Sequence, residues 1–129
     1  MRKAFRLQKS ADFERVRQEG KKYRNRLLVL FVAPNHLGRT RFGFVVGKKR
    51  GKAVVRNKLK RRLREAARLK LAAGRVKPGY DVVVIPRSEA VTADYHALDA
   101  ALEDLLYRAH LLVGERRGAP ASSQEAQAP

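Results

Sequence analysis

Apolar residues recur with two different periods along the chain, and each change of period marks a new element. From Ser10 the spacing of Ala11, Phe13 and Val16 is helical and stops at Gly20, with Ser10 placed to cap the first turn. Leu27 to Ala33 (LLVLFVA) is a short apolar run of β-forming residues closed by Pro34, Asn35 and Gly38, which predicts a strand. Side chains alternate along it, so Val29 and Phe31 share one face and Leu28, Leu30 and Val32 the other. Both faces need cover unless one of them binds something. Arg41 to Gly47 (RFGFVVG) predicts a second strand. The intervening PNHLGRT predicts that the two pair as an antiparallel hairpin, with Gly43 at a bulge or a close approach.

From Val54 to Ala73 the period becomes helical, with Val55, Leu59, Leu63, Ala66 and Leu69 in one stripe and Gly74 as the stop. The opposite side carries Arg56, Asn57, Lys60, Arg61, Arg64 and Arg68, a polar face that is almost wholly cationic. Lys77, Pro78 and Gly79 signal a turn before a third strand, Tyr80 to Ile85, which Pro86 ends. Thr92 is then the expected cap of a last helix, with Leu98, Leu102, Leu105, Leu106 and Ala109 at core spacing and Asp94, Asp99, Glu103 and Asp104 outside. After Val113 no periodicity remains, and Ala, Ser, Gln and Pro dominate. The expected organisation is one domain over residues 1–113 with a disordered tail over 114–129, and no internal repeat. The order helix, strand, strand, basic helix, strand, helix suits an α+β sandwich of one small mixed sheet with helices on one side. The strands flanking the basic helix can then pair in parallel, by default through a right-handed crossover.

Charge narrows the function. Thirty Lys and Arg against twelve Asp and Glu give a net charge of +18, and self-repulsion on that scale implies a polyanionic partner. No apolar run approaches the roughly 20 residues of a spanning helix, and MRKAFRLQKS has no secretory core. Nucleic acid is thus preferred to a membrane surface. The absence of cysteine excludes disulfide scaffolds and thiolate zinc folds and suits a cytoplasmic protein.

The cations concentrate in GKKRGKAVVRNKLKRRLREAARLK, from Gly47 to Lys70, where the first acid is Glu65. A solvated helix face would intersperse Glu, because like charges at i, i+4 such as Arg56, Lys60 and Arg64 repel. Arg predominates on the helix, and its planar fork fits phosphate. Gly47 and Gly51 bracket Lys48, Lys49 and Arg50 just ahead of the helix, where free amides and cations can meet phosphates.

In this setting VVRNKLKRRLRE closely resembles the basic motif of the bacterial ribonuclease P protein subunit. Arg6-Leu7, Asp12-Phe13 followed by Val16 and Gly20, Gly43 and Lys48-Lys49 fit the same frame, and the resemblance covers roughly Arg6 to Arg108. It implies an αβββαβα-like layout with a left-handed crossover through the basic helix, against the default hand. It also implies a non-catalytic protein that binds a catalytic RNA and the 5′ leader of precursor tRNA, as a monomer in a 1:1 ribonucleoprotein whose RNA uses Mg2+. Carried over residue by residue, Arg56, Asn57, Lys60, Arg61, Arg62 and Arg64 match the helix motif, and Lys48, Lys49 and Lys52 the preceding loop. The family's leader cleft maps to Phe13 and Phe31, which as residues also suit an ordinary core. Arg17 stands where an aromatic is common, so charge is expected to replace stacking there.

No catalytic set accompanies these residues. His36 lies in a turn, and His96 and His110 in the last helix lack a partner at metal-ligand spacing. Asp81 and Glu65 are isolated, Glu65 being placed to relieve Arg61 and Arg62. The alternative function is a ribosomal protein or general RNA chaperone with no role in tRNA processing.

Overall fold

A computed structural model describes residues 1–114, so the expected tail, apart from Gly114, lies outside the described residues. The elements are α1 (Ser10–Glu19), β1 (Lys21–Arg24), β2 (Leu28–Pro34), β3 (Arg41–Phe44), α2 (Ala53–Ala72), β4 (Tyr80–Pro86) and α3 (Tyr95–Arg108). The strands form one mixed sheet in the order β1-β2-β4-β3. β2 pairs antiparallel with β1 and β4, while β3 pairs parallel with β4, its partner across α2.

The antiparallel hairpin expected between β2 and β3 is therefore absent, because β4 lies between them. β4 is buried from Asp81 to Val84 and needs neighbours on both edges, which a central position supplies. The connection after β2 is also pinned to β4: the Asn35 amide donates to Asp81 Oδ1 at 2.8 Å and its carbonyl accepts the Leu37 amide at 2.7 Å. β1, with the sequence KKYR, has one apolar residue and no readable period. Tyr23 opposite Leu30 faces the core while Lys22 and Arg24 face away, and such charge is common on an edge strand.

Two cores occupy the two sheet faces. Leu28, Leu30, Val32, Phe42, Val82 and Val84 meet Leu59, Leu63 and Ala66 of α2 and Leu98, Leu102, Leu105 and Leu106 of α3. On the other face a smaller cluster joins Val16 of α1 to Ala33, Val83 and Leu7, with Phe13 and Phe31 packed against it. The helices thus do not all lie on one side, since α1 covers part of the second face.

Caps and stripes differ in detail from the sequence expectation. Ser10 is the first residue of α1, behind Lys9, and Thr92 ends a short 3-10 turn. The α3 cap is Asp94, whose carboxylate accepts the Ala97 amide at 2.8 Å. Gly74 does stop α2: at φ 69° it lets its own amide reach Leu71 O and that of Arg75 reach Lys70 O, both at 3.0 Å. Val55 and Leu69 fall outside the buried α2 stripe, which continues through Ala67 to Lys70. Lys70 meets Asp99 across the α2–α3 interface, and Glu103, expected outside, is buried against Arg75 at 3.2 Å. A charge can occupy a core stripe when the facing helix supplies its counter-ion.

Candidate nucleic-acid interface

The 3-10 turn Lys48–Arg50 places three consecutive cations immediately ahead of α2. Gly51 permits this turn: its φ of 133° and ψ of −171° suit only glycine, and an added Cβ would press on Val55 at 3.1 Å. α2 then begins without a side-chain cap and without an acid in its first turn. Its positive helix end stays uncompensated beside the exposed Lys48, Lys49 and Lys52, an arrangement that attracts anions.

Along α2 the basic residues divide by what they touch. Asn57, Lys58 and Arg61 are exposed. Arg56 folds back, its Nε–H donating to Gly51 O at 3.1 Å. Arg62 leans toward α3 and donates to the Ala93 carbonyl at 3.2 Å. Arg68 has its fork on Glu65, at 2.9 and 2.7 Å, and this hydrogen-bonded pair raises the Arg68 pKa and lowers that of Glu65. Glu65 therefore relieves Arg68, not Arg61 or Arg62. Acid on α3 does little to cancel the cationic ridge, since Asp99, Glu103 and Asp104 are paired with Lys70, Arg75 and Arg108.

Lys60 and Arg64, one turn apart, line the cavities on the β3 side of α2. Here a groove of about 620 Å³ lies between α1 and α2, lined by Phe13, Arg17, Phe44, Val45, Val46 and Lys60 together with the polar Ser10, Glu14 and Gln18 of α1. Phe13 and Arg17 are also one turn apart, so α1 presents both to the groove. Gly43 allows this approach, because a Cβ there would collide with the Phe13 ring. Of the expected cleft residues, Phe13 and Arg17 meet at the groove with Lys60. Phe31 does not line it: the ring is half-buried in the adjoining apolar cluster, with the Lys22 ammonium 5.8 Å from its centroid.

Beneath α1, an ion network fixes that helix to the sheet. Asp81 is fully buried on β4, accepts Arg41 at 2.8 and 2.7 Å and the Asn35 amide, and pairs with Arg15 of α1. Burial alone would raise its pKa, but hydrogen bonds from Arg41 and Asn35, the Arg41 charge and the Arg15 contact together hold it below the usual value. Asp81 in turn raises the Arg41 pKa, chiefly through the hydrogen bond.

The family model for ribonuclease P matches residues 1–110. The chain belongs to the bacterial ribonuclease P protein family. The ribonuclease P protein component of Symbiobacterium thermophilum is 45% identical over 116 residues, 89% of this chain and 99% of that protein. That of Caldanaerobacter subterraneus is 40% identical over 115 residues, covering 89% and 97% respectively. The solved ribonuclease P protein of Staphylococcus aureus superposes with a TM-score of 0.76 at 34% identity, over 86% of this chain and all of that one. That of Thermotoga maritima gives 0.73 at 37% identity, over 80% and 96%.

As a ribonuclease P protein, the chain is a component of an endoribonuclease complex. Among the described residues, no donor set fits the Mg2+ implied by the family. Asp12 and Asp81 both lie beside Arg15 and Arg41, and among the described residues no three His, Asp or Glu side chains gather to hold a metal. Nor does any helix among them have the length and apolarity to cross a membrane. Beside the residues expected from sequence, the structure places the exposed Lys58 on the ridge, Lys22 over the Phe31 ring and Arg6 at the cavity that Lys60 and Arg64 line. Lys58 was readable from the charge run; Lys22 required the β1 register.

Proposed function

We propose that this chain is the RNA-binding, non-catalytic subunit of ribonuclease P. It uses the α2 ridge and the preceding lysines to bind the catalytic RNA. It uses the groove beside α1 to bind the 5′ leader of precursor tRNA, and it works in the cytoplasm as one copy per RNA. The observation that carries the proposal is the continuity of the two surfaces: Lys60 belongs both to the ridge and to a groove that also offers an aromatic ring, Phe13, and a guanidinium, Arg17. Cations neutralise phosphates, while an aromatic face can stack on an unpaired base, a contact worth about 1–3 kcal/mol. The protein's part is then to lower repulsion between two RNAs and to hold the leader, with magnesium and bond cleavage left to the RNA. The one carboxylate along the ridge, Glu65, is engaged by Arg68, and Asp81 is committed to Arg41, Asn35 and Arg15.

Reconstitution tests this division of labour. With magnesium, precursor tRNA is expected to lose its leader in the presence of catalytic RNA, faster and at lower magnesium when the protein is added. The protein without RNA should leave it intact. Leader removal by RNA-free protein would overturn the proposal, as would a failure to stimulate the RNA.

A further inference from the structure

Most half-buried arginines of this fold donate to an acceptor: Asp81 takes Arg15 and Arg41, Glu103 takes Arg75, and backbone carbonyls take Arg39, Arg56, Arg62 and Arg87. Arg6 and Arg64 break that pattern. Each has a buried Nε with no hydrogen-bond partner, and among the described residues neither is in an ion pair. Both line one notch of about 290 Å³, together with Gln8, Phe13, Phe44 and Lys60. No acid lines it. Two guanidinium groups and an ammonium are thus gathered at one place with donors the protein does not use, and an unsatisfied buried donor is costly unless a ligand accepts from it.

The placement is built by the backbone. The Leu7 amide donates to the Phe42 carbonyl at 2.9 Å, and Arg6 forms an isolated parallel bridge with Phe42, which fastens the N-terminal segment to the free edge of β3. Arg6 is thereby held on the side of β3 that Arg64 reaches from α2. Phe13, Phe44 and Lys60 line both this notch and the groove beside α1, so the two are continuous.

We propose that the notch is a phosphodiester-binding site, in which Arg6 and Arg64 take the non-bridging oxygens of one RNA backbone phosphate where the groove meets the ridge. Planar guanidinium forks match that oxyanion in geometry as well as charge. Lys60 adds a point charge between notch and groove. This rests on the reading of the groove as a seat for single-stranded RNA and adds to it a specific phosphate register and a role for Arg6. The phosphate is supplied either by the leader or by the catalytic RNA, and the test separates them.

Arg6→Gln, Arg64→Gln and Arg6→Lys are each reconstituted with catalytic RNA, and three quantities are read: affinity for the catalytic RNA, affinity for precursor tRNA over a series of leader lengths and salt concentrations, and the melting temperature of the free protein. Removing a cation that has no partner should leave the melting temperature unchanged or raised. Each Gln variant should lose about tenfold in affinity and flatten the salt dependence by about 0.7 in log–log slope. Arg6→Lys, keeping charge without the fork, should retain the slope and lose part of the affinity. A leader phosphate is indicated if the loss appears only with leaders long enough to enter the groove and vanishes when one leader phosphate is replaced by a neutral methylphosphonate. A catalytic-RNA phosphate is indicated if that affinity falls instead. The site is refuted if neither affinity responds, or if the melting temperature falls and affinity falls equally for every leader length and salt. Wild-type protein indifferent to leader length would refute the leader-groove reading, which is distinguishable from an Arg6 variant that fails to respond beside a responsive wild type.

Discussion

Alanine at Arg56, Lys60 and Arg64 together is expected to weaken binding of the RNA partners roughly a hundredfold near physiological salt, while the free protein melts no lower than before. If each cation contributes about 1 kcal/mol, the loss is about 3 kcal/mol, and tenfold in affinity is about 1.4 kcal/mol. The dependence of log affinity on log salt should become shallower by about 2 to 3, since each phosphate contact releases close to one counter-ion. Helix stability moves the other way. Arg56 with Lys60 and Lys60 with Arg64 are like charges four apart, each pair costing about 0.2–0.5 kcal/mol, and alanine is the strongest helix former. The Arg56 bond to Gly51 is a small loss against this. Affinity titrations at several salt concentrations, with a thermal melt of each protein, check both halves. An unchanged salt slope in a folded variant would place the RNA elsewhere on the protein.

Asp81→Asn is expected to be the most damaging single change away from the ridge. The carboxylate is buried and holds Arg41 of β3, Arg15 of α1 and Asn35 of the connection after β2. Asparagine keeps the shape and removes the charge, leaving two guanidinium groups with only the more distant carboxylate of Asp12, at 3.9 Å from Arg15 and 3.8 Å from Arg41. Breaking such a pair typically costs about 3–5 kcal/mol, a fall in melting temperature on the order of 10–20 °C for a domain of this size. Because the network anchors α1, the groove formed by Phe13 and Arg17 should loosen and leader affinity fall with it. The pH dependence has a definite sign. The folded-state pKa of Asp81 is depressed below its ordinary value of 3.8. Its stabilisation is therefore complete above about pH 4 and fades as the pH drops from there through the folded-state value. The stability gap between wild type and variant should stay constant from about pH 8 to 5 and close below about pH 4. Urea unfolding across that range measures it; a gap under about 1 kcal/mol at neutral pH would show the network to be dispensable.

The long helices and the two apolar strands were legible because their periods extend over enough residues to be unambiguous. Strand order was not. The pairing of β3 with β4 is decided by the need to bury β4 on both edges, a property of the assembled sheet that no local turn signal encodes. β1 was invisible in the residues because a single tyrosine cannot show a period; only the family's layout implied a strand there. Ser10 and Thr92 were plausible caps by type, but Lys9 and Asp94 hold those positions. Lys70 and Glu103 broke the apolar stripes because ion pairs across elements are not written in either helix alone. The cationic ridge was readable, being contiguous in sequence, whereas Arg6 and Arg64 share a notch only through the bridge between the N-terminal segment and β3.

Site-directed crosslinking tests the central claim most directly. The chain has no cysteine, so a thiol-linked photoreactive group at one introduced cysteine reports one location. Asn57→Cys lies on the exposed ridge, Arg17→Cys at the groove and Ala100→Cys on the exposed side of α3. In the complex reconstituted with precursor tRNA, the ridge site should crosslink to RNA and the groove site to the leader, with little product from α3. Strong RNA crosslinks from α3, with none from the ridge or groove, would contradict the placement of RNA on α2.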